Sequence, residues 1–229
     1  MKEDLLGKSI ISGYLFKDER FYIFPKRIGG ISSQLMVYTA EDDTYKLIEN
    51  PFADLIKCSS LITRINKSRF YKIPPFYMKE FPSGIILTST KLPQMLLYSD
   101  ENSSISEVLA ESKFYDKVEQ VDKILEVEGD KASEVWRKEQ SKKMHYLLPE
   151  WDDNTKCLYR WAYKLSSDRS NYDNFLFVYD SSLNLVDEIK VTGIKMKPKR
   201  LLYIGSKIYI AANFEDDLGF LVFDYTAPS

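Results

Sequence analysis

Histidine and cysteine are almost missing from this chain, and their scarcity closes off several kinds of chemistry. One histidine, His145, and two cysteines, Cys58 and Cys157, stand in 229 residues. Neither cysteine has a second cysteine or a histidine at metal-ligand spacing, which argues against a structural zinc site. The sequence leaves a Cys58–Cys157 disulfide undecided. Charge of one sign is not in excess either. Lysine and arginine number 32 against 34 acidic residues, a net of −2, so there is no electrostatic case for nucleic acid or an anionic membrane surface. No segment approaches the roughly 18 consecutive apolar residues that a membrane-spanning helix requires. The opening MKEDLLGKSIISG lacks the apolar core of a secretory signal. The expectation is a cytoplasmic chain or a mature form trimmed of its leader.

Aromatic residues are what the chain has in quantity, with 16 Tyr and 13 Phe. Such rings fit a half-buried pleated surface, so the bias favours strands. Four stretches share one local pattern: two apolar strands across a polar turn, then a third strand ending in an aliphatic-aromatic pair. They run from Gly13 to Glu49, from Phe76 to Leu109, from Met144 to Val191, and from Arg200 onward. The pairs are Val37-Tyr38, Leu97-Tyr98, Val178-Tyr179 and Val222-Phe223, and the last two stand about 44 residues apart, the length of one four-stranded propeller blade. A small twisted sheet cannot bury both faces alone, whereas sheets stacked around an axis cover one another.

The resulting expectation is an all-β fold, a β-propeller or partial propeller of four-stranded antiparallel blades, with a β-sandwich as the alternative. It treats 1–229 as a single domain carrying an irregular charged insert over 112–142, a hairpin or a short helix. Residues 50–75 are a candidate degenerate blade. Lys8 to Ser12 are apolar enough to supply a fourth strand to the last unit and close a ring.

No catalytic constellation stands out. A calcium loop needs six or more converging oxygens, and the acidic runs Glu41-Asp42-Asp43, Asp152-Asp153-Asn154 and Glu215-Asp216-Asp217 read instead as hairpin turns with solvated carboxylates. No serine lies in a nucleophile elbow, Gly29-Gly30 lacks the rest of a phosphate loop, and His145 on a tyrosine-rich strand reads as packing. Neither a metal nor a cofactor is implied.

The densest aromatic patch is Trp151 followed by Tyr159-Arg160-Trp161-Ala162-Tyr163. On a strand, Tyr159, Trp161 and Tyr163 share one face and Arg160 and Ala162 the other. Packing between sheets is the plain reading of three rings on one face. The functional alternative is a stacking surface for a sugar or peptide, built from Trp151, Tyr159 and Tyr163, with Arg160 offering a planar fork of donors to a carboxylate.

The segments HYLLPEWDDNTKCLYRWAY, NFLFVYDSSLNLVDEIKV and LLYIGSKIYIAANFEDDLGFLVFDY resemble the last blades of an uncharacterised Bacteroidetes family, domain of unknown function 4221. The resemblance rests on Tyr159-Arg160-Trp161, on the V-Y-D strand leading to Asp187-Glu188, and on the final strand pair, and covers residues 144–226. It implies a propeller-like exported lipoprotein, hence a periplasmic or cell-surface location. The functional expectation is a non-enzymatic binding or interaction module with a protein or carbohydrate ligand. The other class is a carbohydrate-active hydrolase or lyase using paired carboxylates.

Overall fold

The computed structural model describes residues 9–27, 34–49, 61–65, 68–72, 76–108, 111–114, 125–128, 134, 138, 141, 143–204, 207–214 and 217–225. Every element among them is a strand, and none of the sheets closes into a barrel. Glu134, Lys138 and Ser141 are helical. No helix among the described residues is long and apolar enough to cross a membrane. The chain divides into two compact units. The first comprises Met1–Thr88, Leu96–Glu107 and Glu119–Arg137; the second comprises Ser89–Met95, Val108–Val118 and Lys138–Ser229.

In the first unit, β1 (Ser9–Lys17), β2 (Arg20–Arg27), β3 (Gln34–Thr39) and β4 (Thr44–Glu49) form a four-stranded antiparallel meander in chain order. The strands β7 (Phe76–Phe81), β8 (Gly84–Ser89), β9 (Met95–Ser99) and β10 (Ser104–Val108) repeat that order. One face of the first meander meets the second. Tyr22 stands edge-on to Tyr98 at 5.7 Å, Phe24 edge-on to Phe76 at 6.0 Å, and the Tyr22 hydroxyl and the Arg20 guanidinium both donate to Asp100 at 2.7 and 3.1 Å. Strand β1 lies beside β7. Residues 50–75 do contain strands, β5 (Leu61–Ile65) and β6 (Ser68–Lys72). They form a hairpin joined in parallel by β11 (Leu125–Glu128), from the charged segment that read as either hairpin or helix.

The second unit holds β12 (His145–Tyr146), β13 (Glu150–Asp152), β14 (Cys157–Leu165), β15 (Tyr172–Tyr179) and β16 (Leu185–Val191) in one sheet. Both β12 and β13 pair with β14, end to end. Pro149 separates them, since proline has no N–H to donate to a ladder. Together they fill the place of one first strand, giving the four-strand pattern again. The last sheet is β17 (Arg200–Ile204), β18 (Lys207–Phe214) and β19 (Asp217–Asp224), with β17 beside β13. Its inward face and that of the preceding sheet share a core of Tyr159, Trp161, Leu176, Val178, Ile208 and Ile210.

All four anticipated units are present, and each aliphatic-aromatic pair lies on the third strand of its unit. Ring closure by the N-terminus is corrected. Residues from Ser9 belong to β1, whose register pairs Ile10 with Lys26 and Ile11 with Pro25. A partner reached through a two-residue turn costs far less closure entropy than one at the other end of the chain.

Glycine is scarce, at nine residues, and the turns show it. Asp18, Glu19, Asp43, Ser103, Lys156, Arg169 and Leu183 all adopt positive φ, between 49° and 64°. Asp18 and Glu19 are the two central residues of the β1–β2 hairpin, the left-handed pair that Asn-Gly usually supplies. Side-chain hydrogen bonds support several of the others. Asp180 accepts from the amides of Ser182 and Asn184 at 2.8 and 2.9 Å around Leu183.

A candidate anion site around His145 and Tyr163

Strand β14 carries the aromatic-arginine motif with the alternation expected of it. Tyr159 and Trp161 point into the shared core, where Tyr159 stacks on Tyr203 at 4.6 Å and meets Tyr225 edge-on at 5.7 Å. Arg160, on the opposite face, has no exposed surface. Its Nη2 donates to the carbonyls of Ser89 and Leu92 at 3.1 and 2.8 Å, and Nη1 donates to the carbonyl of Pro93. The guanidinium carbon sits 4.3 Å from the Tyr146 ring centroid. A buried cation is tolerated where donors meet acceptors in its own plane, and arginine's fork grips three carbonyls that a lysine could not reach together. Arg160 thereby fixes the 89–95 turn, which is also tied to β12 by the Tyr146 amide donating to the Thr90 carbonyl at 3.0 Å.

A second buried polar group does the same for another loop. Asn174, fully buried on β15, accepts from Trp161 Nε1 at 2.9 Å and donates to the carbonyls of Ile194 and Met196 at 3.0 and 3.3 Å. The Tyr172 amide donates to the Lys195 carbonyl at 2.9 Å. Buried polar groups that are satisfied in this way specify one loop conformation instead of many.

The two fixed loops each deliver a lysine to one member of a stacked ring pair, Lys91 to His145 and Lys197 to Tyr163. Lys91 Nζ lies 2.7 Å from His145 Nδ1, and the His145 ring stacks on Tyr163 at 5.2 Å and 13°. Lys197 Nζ lies 5.6 Å from the Tyr163 centroid, and Tyr172 meets that ring edge-on at 5.8 Å. An ammonium can only donate, so Nδ1 accepts and a neutral His145 carries its proton on Nε2. Burial, then the neighbouring Tyr172, pushes the Tyr163 phenol up to about 12, so it stays a neutral donor. The result is an array of donors and cations over aromatic rings, with Lys91 and His145 half-buried, Tyr163 buried and Lys197 exposed, all within the second unit.

Of the four residues singled out in the sequence, Tyr163 belongs to this array and Arg160 positions it. Tyr159 is core, and half-buried Trp151 lies apart, its Nε1 donating to Asp153 at 3.1 Å. Lys91, Tyr172, Asn174 and Lys197 were not anticipated. A lone asparagine in the apolar run NFLFVY was the available sign, because a polar side chain there needs partners.

Among the acidic turns, Asp152 departs from the solvated carboxylates expected. Asp152 is 5% exposed and accepts from the Thr155 amide and hydroxyl at 2.8 and 2.6 Å. Burial raises its carboxyl, but the hydrogen bonds from Thr155 and Asn154 outweigh that and hold it below the usual range. Glu41, Asp42 and Asp43 are exposed as expected, while Glu215 and Asp216 lie outside the described residues. No group of three or more His, Cys, Asp or Glu suited to a metal occurs among the described residues. Cys157 is a buried free thiol, raised by burial, and Cys58 lies outside the described residues.

No curated protein matches the chain. The crystal structure of a DUF4221 family member from Bacteroides vulgatus superposes with a TM-score of 0.58 at 13% identity, covering 95% of this chain and 64% of that one. A complex of KlAtg21 with the coiled coil of AgAtg16 gives a TM-score of 0.39 at 11% identity, covering 94% of this chain and 56% of that one. This chain therefore spans under two thirds of the length of either. The sequence matches the family described as Domain of unknown function (DUF4221) over residues 2–190, which takes in residues 144–190 of the likeness and all of the N-terminal half, while the final strand pair lies beyond the matched residues. With that match spanning most of its length, the chain belongs to the DUF4221 family.

Proposed function

We propose that this protein is a non-enzymatic binding module of the cell envelope, built as a propeller-like stack of sheets, and that the array around His145 receives an acidic saccharide. The observation carrying this reading is that two irregular loops, each pinned by a fully buried polar side chain, bring Lys91 and Lys197 onto one His145–Tyr163 stack. Loops fixed from beneath are pre-organised for a ligand, and cations over aromatic rings suit a sugar that bears a carboxylate. The propeller-like arrangement is supported by first strands lying side by side within each unit, β1 with β7 and β13 with β17. The lipoprotein-like, cell-envelope setting is supported by the family resemblance.

The test is calorimetric titration with oligogalacturonate and with a neutral xylo-oligosaccharide. The acidic chain is expected to bind and the neutral one to bind at least ten-fold more weakly. Lys91→Ala and Lys197→Ala should each cost about 1 kcal/mol, roughly five-fold in affinity, with the loss shrinking at high salt. Equal affinity for both saccharides, unchanged binding by the two variants, or no binding of either saccharide would overturn the reading.

A further inference from the structure

His145 is the single histidine of the chain, and its Nδ1 accepts from the Lys91 ammonium at 2.7 Å. A neutral imidazole has one acceptor nitrogen, and this contact uses it. A second proton on the ring would occupy that nitrogen. It would set an N–H against an ammonium, two donors and two positive charges with no acceptor between them. The contact and a protonated His145 therefore exclude each other. Imidazole is also the side chain whose ordinary value, about 6.5, lies where modest acidification changes its charge.

The surroundings limit what moves. The main chain under Lys91 is held by Arg160 on the carbonyls of Ser89, Leu92 and Pro93, by the Tyr146 amide donating to the Thr90 carbonyl at 3.0 Å, and by the Lys91 amide donating to Ser89 Oγ at 3.3 Å. The imidazole is held too, paired across β12 and β14 with Tyr163 and stacked on its ring. The four-carbon stem of Lys91 is the part able to turn. Around the ring, the 89–95 turn contributes Lys91, β14 the Tyr163 phenol, the 192–199 loop Lys197 over that phenol's ring, and β15 Tyr172 at its edge. Exposed Lys143 precedes β12, and Arg160 lies on the other face of β14 against Tyr146. Tyr163, pushed up to about 12, stays neutral wherever an imidazole titrates. The charged members of this set are all cations, so a proton on His145 adds like charge to like.

We propose that the His145–Lys91 pair is a proton-operated switch on the anion site: protonating His145 turns the Lys91 ammonium out of its imidazole contact and towards a bound acid group. Above the transition, Lys91 gives a hydrogen bond to His145. Below it, that donor, both N–H groups of a charged imidazole, and Lys197 all serve the ligand. Anion affinity rises as pH falls, and by linkage a bound anion holds the proton on His145. The gain in affinity rests on the acidic-saccharide reading; the release of Lys91 by a proton does not.

With one histidine in the chain, long-range proton–nitrogen NMR reads its tautomer and titration directly. Wild type at about pH 8 should carry the imidazole proton on Nε2. Lys91→Met keeps the stem and removes the charge, and should raise the His145 midpoint by about one pH unit. An unchanged midpoint, or a proton on Nδ1 at that pH, would overturn the switch. Calorimetry with oligogalacturonate on either side of the wild-type midpoint then reads the coupling. Affinity should be about five-fold higher on the acid side, and His145→Phe, which keeps a ring on Tyr163 but takes no proton, should abolish that difference. Equal wild-type affinity on both sides, or a difference that survives His145→Phe, would also overturn the proposal. No oligogalacturonate binding at any pH would sink the saccharide reading, with the His145 midpoint still deciding the switch.

Discussion

Raising the pH should unfold this protein abruptly, and the buried tyrosines set where. Tyr22 and Tyr159 have no exposed surface and Tyr163 is 8% exposed. Burial raises all three phenols. It carries Tyr163 to about 12, while the hydrogen bond to Asp100 adds to the rise at Tyr22 and neighbouring Tyr203 to that at Tyr159. In the unfolded chain a tyrosine ionises near pH 10. Between that pH and its folded value the native state holds a proton that the unfolded state has released. Stability is therefore fully present below about pH 10 and falls as pH rises.

Each such phenol removes about 1.4 kcal/mol by pH 11, so the three together remove about 4 kcal/mol, and about 6 by pH 11.5. A domain's whole stability is about 5–15 kcal/mol. The transition should fall between about pH 11 and 12, and the second unit, with two of the three phenols, should go first. Phenolate absorbance followed alongside circular dichroism measures this. Exposed tyrosines should titrate reversibly near pH 10, and the buried ones in a step coincident with loss of the β signal. All 16 tyrosines titrating along one curve near pH 10 with the dichroism intact would refute the reasoning.

Four substitutions at three positions extend the test to the fold and the site. Glu19→Gly should stabilise by about 0.5–1 kcal/mol in urea melts, because φ of 60° is strained for glutamate and free for glycine. Gly84→Ala should cost roughly 3 kcal/mol or more, since its Cβ would run into the main-chain carbonyl of Tyr98 at φ 154°; a near-native melting temperature would contradict that packing. Arg160→Met should cost about 3–5 kcal/mol by stranding the carbonyls of Ser89, Leu92 and Pro93. Arg160→Lys should recover less than half of that, and a full rescue would deny the forked grip a role.

Much of the architecture was written locally. The Val-Tyr and Leu-Tyr pairs lie on third strands because a buried central strand selects aliphatic and aromatic neighbours whatever its distant partners. What escaped the sequence is long-range. The parallel pairing of β11 with β5 joins Leu125 to Leu61 across most of the first unit, and no short pattern encodes such a partner. The candidate site was half legible for the same reason. Tyr163 and Arg160 announce themselves on one strand, whereas Lys91 and Lys197 look like ordinary turn lysines until Arg160 and Asn174 bend their loops inward. The carboxylate of Asp152 read as solvated because turn composition is polar whether the acid faces water or its own backbone.

The glycine-poor turns bear on how this molecule ages. Asparagine and aspartate side chains cyclise to succinimides when the next backbone nitrogen attacks them, and glycine in that next position offers the least obstruction. No Asn-Gly or Asp-Gly step occurs anywhere in the chain. Hairpins bent through residues that bear side chains are harder to fold into place, yet they lack the commonest sites of spontaneous isomerisation, which favours a long working life.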